Sequence, residues 1–275
     1  MLELSNTDSI YNIADWIEYY ILYKNKTLSK SKMRALLEDE DGIVKEEDID
    51  SVFNEMTKRK KLYGDSSPFE VEGNSIRPKI KWKDNPELTM CLIFSIKGVN
   101  QKKGTNDGTK LFERLSREAI KVYLGGEAEV IGFPNKKNFR DQVKYLSEKM
   151  REEIGHRNPR PTDKDKGVDI IAWKPHGDMR PNQIVVLLQC GAGLNYSKKK
   201  SISIDAWHEF IHFSAKPVAG IMIPKIVSDE DWMSIRDDYN LIFDRIRIYK
   251  AVYNKPLSDK ALKKQILDWC KVNLN

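Results

Sequence analysis

Between Asp163 and Lys200 the chain reads DKDKGVDIIAWKPHGDMRPNQIVVLLQCGAGLNYSKKK, and this stretch holds the residues best suited to chemistry. Its first half sets one carboxylate, Asp169, inside an otherwise apolar run from Gly167 to Trp173. That run predicts a buried strand, and a carboxylate withdrawn from water there needs a partner. The second half predicts a stronger strand from Gln183 to Cys190, with the Gln189 amide near its end. A turn containing Gly191 and Gly193 follows, then three consecutive cations, Lys198, Lys199 and Lys200. Asp169 and Gln189 on neighbouring strands, beside lysines, predict a site for a hard divalent cation. Mg²⁺ suits so sparse a donor set, because it takes one or two protein oxygens and fills its other positions with waters and substrate phosphate; Mn²⁺ is the alternative.

The whole chain must be able to build and hold such a site. Its 275 residues suffice for one large domain or a domain with an appendage. A formal charge of +6 permits a nucleic-acid partner without requiring one. Three cysteines, Cys91, Cys190 and Cys270, stand far apart with no C-x-x-C pair, so reduced thiols and a cytoplasmic location are expected. The start MLELSNTDSI has no basic leader, and no apolar stretch approaches the ~20 residues needed to span a bilayer, so no membrane partner is expected.

In chain order, apolar spacing predicts a helix over 9–24, a short helix capped by Ser29, and a turn at Gly42. Ile49, Val52, Phe53 and Met56 predict a third helix that ends in the basic cluster Lys58, Arg59, Lys60 and Lys61. A hairpin turning at Gly73-Asn74 comes next. Three helices and a hairpin resemble a winged helix-turn-helix in layout, with Lys58, Arg59 and Lys60 as nucleic-acid contacts; a small helical bundle that docks a partner is the other reading. Residues 1–86 are therefore taken as a winged-helix-like module and 87–275 as a second domain, with Pro78 to Pro86 as the linker.

The second part begins with the apolar run Leu88–Ile96, a buried helix or a strand, and a polar loop over 98–109. A helix over 110–123, a strand over 127–133, a polar helix over 138–153 and a disordered-looking hinge over 155–162 follow. Beyond the two central strands come a helix over 204–213, a strand over 218–224, strand character over 241–249 and a last helix over 258–274.

Helix, strand, strand, strand, helix, strand is the order of the restriction-endonuclease-like α/β core. The residues Phe112-Glu113, Gly167-Val168-Asp169-Ile170 and Leu188-Gln189-Cys190 resemble the pattern of Mrr-type nucleases in the PD-(D/E)xK superfamily. That resemblance covers roughly residues 108–225. It implies a Mg²⁺-dependent nuclease cutting DNA in bacterial defence, with Glu113, Asp169 and Gln189 around the metal. It also implies a partner subunit or homo-oligomer for control; no G-x-x-x-x-G-K-[ST] occurs, so any ATPase would be a separate chain. Where the family has a lysine two residues after the Gln, this chain has Gly191. Lys198 is the expected substitute, with Lys199, Lys200 and Lys166 as runners-up, and Lys199 and Lys200 as further phosphate contacts. Glu118 competes with Glu113, being on the face of Leu111 and Leu115. Should no lysine reach the site, the chain is a catalytically inactive DNA-binding or adaptor protein.

A competing motif is His208-Glu209-Phe210-Ile211-His212, which matches the H-E-x-x-H zinc-protease signature, with Glu230 as a conceivable third ligand. Pro217 would cut its helix short.

Overall fold

A computed structural model describes residues 2–4, 9–41, 46–99, 107–131, 138–160 and 165–274. The first apolar stripe forms α1 (Ile10–Lys24), closed by Asn25 in the left-handed region. A two-residue strand, β1 (Leu28–Ser29), leads into α2 (Lys30–Asp41), where the Ser29 hydroxyl accepts the Lys32 amide at 3.3 Å. The long α3 (Glu46–Tyr63) buries Ile49, Val52, Phe53 and Met56, and the basic cluster lies inside it rather than beyond its end. The hairpin of β2 (Phe69–Glu72) and β3 (Ser75–Pro78) is joined by β1 along β3, giving a three-stranded sheet in the order β1-β3-β2. Gly42 lies outside the described residues.

The ambiguous apolar run becomes α4 (Pro86–Lys97), with Pro86 in its first turn, where a missing amide hydrogen costs nothing. Being apolar on every side, α4 must be covered on every side. It packs on α1 and, as described below, on the last helix. One apolar cluster consequently runs unbroken from Trp16 and Ile17 through Phe94 and Phe112 to Leu188, across the expected junction between 86 and 87. The segment before it is packed too: Trp82 stacks on Tyr23 with ring centroids 6.3 Å apart, and its carbonyl accepts from Thr89.

The second part starts with α5 (Gly108–Leu124), capped by the Asp107 carboxylate and stopped by Gly125 at φ +57°. Next come β4 (Glu127–Val130), the amphipathic α6 (Phe139–Met150), a short β5 (Glu153–Ile154), and the central strands β6 (Ile170–Lys174) and β7 (Ile184–Cys190). A brief α7 (Ile204–His208), β8 (Ile211–His212) and β9 (Val218–Met222) follow. The segment expected as strand over 241–249 divides into β10 (Leu241–Phe243) and α9 (Arg245–Val252), after a helix the periodicity did not show, α8 (Asp229–Ile235). The chain closes with α10 (Leu262–Asn273).

Among the described residues the main sheet has five strands in the order β10-β9-β7-β6-β4. β4, β6 and β7 are antiparallel neighbours, whereas β9 and β10 run parallel to β7. Alternation along β7 sends Val186, Leu188 and Cys190 toward α5, and Val185 and Leu187 toward α6 and Trp207. The sheet is thus apolar on both faces and covered by helices on both. The expected hinge is different from a hinge over its described part: the Gly155 amide donates to Phe210 O at 2.9 Å and Arg157 to Glu209 O at 2.9 Å. Backbone pairing beside β5 and β8 holds what the Pro and Arg content suggested was loose. The loop over 100–106 and residues 161–164 lie outside the described residues.

Candidate active site at the ends of the central strands

The Asp107 cap fixes the first turn of α5, and Phe112 and Leu115 seat that turn on the sheet, fully buried. This leaves Glu113 7% exposed at the end of the apolar face. Lys110, one turn earlier, donates its Nζ to both Glu113 oxygens at 2.9 Å. Asp169 sits immediately before β6 rather than within it. Its amide donates to Leu188 O and its carbonyl accepts from Ile131, each at 2.8 Å, so its backbone is clamped from both sides. Its Oδ2 accepts the Cys190 amide at 2.7 Å. Just upstream, the Asp165 carboxylate accepts the Gly167 amide at 3.0 Å and shapes the turn that delivers Asp169.

After β7 the Gly191 amide continues the pairing with β9 by donating to Met222 O at 2.7 Å, and the chain turns from Gly193 to Asn195. A Cβ at position 191 would lie 3.0 Å from the Tyr196 Cβ, so a lysine there would press on the returning turn and make it shift slightly. That turn, Tyr196–Lys198, brings back Lys199, whose Nζ donates to Cys190 O at 2.7 Å.

The electrostatics of the cluster are under-compensated. Burial pushes the Glu113 carboxyl above its ordinary range; Lys110 opposes this and the Asp169 charge adds to it. Burial likewise pushes Asp169 up, against the Cys190 N–H and the Lys199 and Lys110 charges. The Asp169 charge adds to the Glu113 shift and the Asp165 charge to that of Asp169, and two ammonium groups fall short of restoring ordinary acidity.

The structure brings Glu113, Asp169 and Lys199 together and adds Lys110, which the sequence reading missed; its position three residues before Glu113 was the available signal. Gln189 is engaged elsewhere: its Oε1 accepts the Tyr239 hydroxyl at 2.8 Å, and its Nε2 lies over Gly167, 3.1 Å from where a Cβ would stand. Burial pushes the Tyr239 phenol up to about 12, so it remains a donor. Lys198 is a correction. It is exposed at the end of the returning turn, and the neighbouring Lys199, in extended conformation, is the lysine that folds back. Lys200 and Lys166 are exposed. Glu118 is tied to the Ser258 amide and hydroxyl and to Arg117, which leaves Glu113 as the helical acid facing Asp169.

The expected N-terminal cations fare unequally. Arg59 is a correction: it is 0% exposed and paired with Asp15 at 2.6 Å and Glu55 at 2.8 Å, out of reach of any ligand. Lys58 is bound to Asp229 at 2.7 Å and Lys60 to Glu70 at 2.6 Å, both near the surface. The zinc motif is also corrected. α7 ends at His208 and His212 lies on β8, so the motif is not carried on one helix; the two rings still meet with centroids 4.8 Å apart, but Glu209 is bound to Arg157 at 2.9 Å and, among the described residues, no third His, Cys, Asp or Glu joins them.

Among the described residues, no group of three or more His, Cys, Asp and Glu side chains converges as a ready-made metal cage. Glu113 and Asp169 nonetheless fit a hard cation. Both present oxygen, both are held short of full acidity by burial, and a divalent charge between them would reverse that shift.

The described residues thus form a mixed α/β fold, a five-stranded mixed sheet flanked by helices. Solved structures similar to this chain include the MspJI restriction endonuclease in complex with a 27-mer oligonucleotide, at 13% identity and a TM-score of 0.32 over 75% of this chain and 38% of that one. Restriction endonuclease FokI is similar at 10% identity and a TM-score of 0.25, over 97% of this chain and 46% of that one. The chain thus spans less than half the length of either. No family model and no curated protein matches it. No helix among the described residues is long and apolar enough to cross a membrane.

Proposed function

We propose that this chain is a Mg²⁺-dependent nuclease that hydrolyses DNA phosphodiester bonds. The observation that carries the reading is the pair of carboxylates, buried Glu113 and half-buried Asp169, both pushed up by burial at the ends of the central strands with Lys110 and Lys199 against them. When bound, the cation would polarise a phosphate oxygen and make water more acidic. Asp169 and Glu113 would hold it, and Asp169 is pre-oriented because its Oδ2 is anchored on the Cys190 amide. Gln189 would join them only by turning its Oε1 away from the Tyr239 hydroxyl. Lys199 takes the role of the lysine that Gly191 cannot provide: by shifting from Cys190 O to a phosphate oxygen it would steady the charge that grows during attack.

The N-terminal layout of helix, strand, two helices and hairpin supports a winged-helix-like module that docks DNA, with Lys58 and Lys60 at its surface and Lys200 beside the site. A role in defence against foreign DNA, with a partner subunit or a second copy controlling the site, rests on the resemblance of the three motifs alone.

One observation favours a second reading, an inactive nuclease-fold protein that binds DNA. Both ammonium groups at the site are engaged, Lys110 by Glu113 and Lys199 by the Cys190 carbonyl. Plasmid incubated with Mg²⁺ and the purified chain, beside Asp169→Ala, separates the two. The nuclease reading expects a loss on the order of 10³-fold or more in the variant. Cutting that survives the substitution removes the proposed site, and retarded but uncut DNA selects the second reading.

A further inference from the structure

A cavity of about 770 Å³ opens where α3 of the N-terminal part faces the sheet edge formed by β10 and the start of α9. None of its lining residues belongs to the Glu113–Asp169 cluster. Two kinds of side chain mark it. The first is aromatic: Tyr123, 60% exposed, meets Phe243 edge-on with ring centroids 5.0 Å apart, and Trp232 forms another wall. The second is cationic. The Arg247 guanidinium lies 4.5 Å from the centre of the Trp232 ring and is steadied by a 2.7 Å bond to Ile242 O. Lys250, one turn further along α9, is held by Leu62 O at 3.1 Å.

Neither Arg247 nor Lys250 has a carboxylate within ion-pair distance among the described residues. The acids in the same walls are already engaged: Glu55 holds Arg59, Asp229 holds Lys58, and Asp244 caps the first turn of α9. The recess therefore offers aromatic surface for a planar ring and two cations outside any ion pair for an anion, one of them, Arg247, also feeling the Asp244 charge. The volume is in the range of small-molecule sites, roughly 300–1,000 Å³. Stacking surfaces joined to a guanidinium suit a heteroaromatic base that carries phosphate.

We propose that this cavity binds a free nucleotide, its base against Tyr123 and Trp232 and its phosphate on Arg247 and Lys250. A free molecule is favoured over a nucleic-acid strand because the recess is walled by two parts of the chain and shares no residue with the acidic cluster where a strand would be cut. Tyr11, Lys58 and Leu62 line one side and Tyr123, Arg247 and Lys250 the other, so an occupant would tie the N-terminal helices to the sheet edge.

Calorimetric titration of the full chain with each of the four ribonucleoside 5′-monophosphates tests this, beside a nucleoside, inorganic phosphate and a short single-stranded oligonucleotide. At least one monophosphate is expected to bind saturably, with its nucleoside and inorganic phosphate each about tenfold or more weaker. Tyr123→Ala and Lys250→Glu, both at exposed positions, are expected to lower that affinity about tenfold or more, whereas Asp169→Asn leaves it unchanged. The unfolding midpoint of the chain should also rise with the bound nucleotide and not with the nucleoside. No saturable heat from any monophosphate up to about 1 mM overturns the proposal. So does affinity that survives both substitutions, or an oligonucleotide that binds through these residues in preference to the monophosphates. None of these results bears on the nuclease reading, which is tested at Asp169.

Discussion

Two regions of this protein withdraw several charges from water, and they resolve the cost in opposite ways. Where α1, α3 and α9 meet, Asp15, Glu18, Arg59 and Arg245 are each 0–1% exposed. Arg245 Nη2 reaches Asp15 at 2.8 Å and Glu18 at 3.0 Å, Arg59 reaches Asp15 at 2.6 Å, and Tyr63 donates its hydroxyl to Glu18 at 2.9 Å. Burial alone would raise the Asp15 carboxyl, but the two guanidinium groups outweigh it and hold the value at about 2. At the ends of β6 and β7, Glu113 and Asp169 face lysines instead and are pushed up. A guanidinium offers several donors in a fixed fork, whereas an ammonium is one compact charge. The first region is therefore paired within the chain, with Asp15 Oδ2 left without a hydrogen bond, and fastens the two parts of the chain. In the second the carboxyls stay above their ordinary range despite two ammonium groups, which is the shift a bound cation would reverse.

The largest effect that tests this contrast is on folding. Arg245→Ala leaves Asp15 and Glu18 buried against one guanidinium and should cost about 3–5 kcal/mol in urea unfolding. Replacing Asp15, Glu18, Arg59 and Arg245 together by apolar residues of similar volume should cost far less, because the price of dehydration leaves with the charges. A loss below about 1 kcal/mol for Arg245→Ala would mean that the junction is not held by this network.

The comparison also bears on catalysis. Under the nuclease reading, Lys199→Ala should lower the cleavage rate about 10²-fold, since it removes one charged donor to the phosphate, and Lys198→Ala should leave it near the parent. The opposite ranking in a single-turnover assay would return the exposed Lys198 to the site and displace the geometry described here.

Acid should separate the regions in turn. The folded Asp15 value lies below its ordinary 3.8, so the stability from its ionised form is present above that value and is lost as pH falls through about 2. Glu113 and Asp169 act with the opposite sign. Their folded values are raised, so their ionised forms cost stability at neutral pH and that cost is relieved as pH falls through the raised values. An Asp15→Asn variant should accordingly lose the part of acid unfolding between about pH 4 and pH 2 while keeping the relief at higher pH, as read by circular dichroism.

Which parts of this picture could be read from the chain follows from how local each signal is. Helical periodicity and the turn residues gave most of the element order and the positions of Glu113 and Asp169, because these depend on neighbours a few residues away. Arg59 shows a signal that was present but concealed by its type: it continues the series Ile49, Val52, Met56 at helical spacing and so falls on the buried stripe of α3. Glu55 is a local partner, but Asp15 and Glu18 lie more than forty residues away, and nothing local announces them. The all-apolar run of α4 has no period, and burial on every side is a property of the assembled core. Lys198, Lys199 and Lys200 are equivalent as letters. Only the turn at Tyr196–Lys198, packed against Gly191, decides which of them returns to Cys190.

The smallest effect is the most direct probe of the unsatisfied charge. Asp169→Asn keeps an oxygen for the Cys190 amide and removes one of two repelling carboxylates, so without metal it should raise the unfolding temperature. A gain on the order of 1 kcal/mol corresponds to about 2–4 °C for a chain of this size. Mg²⁺ at about ten times its Kd should add about 1.4 kcal/mol to the parent chain by mass action and much less to the variant. A variant less stable than the parent in the absence of metal would mean that Lys110 and Lys199 already neutralise the pair. The sheet end would then resemble the guanidinium-held junction in kind, and its claim to be a cation site would fall with the difference.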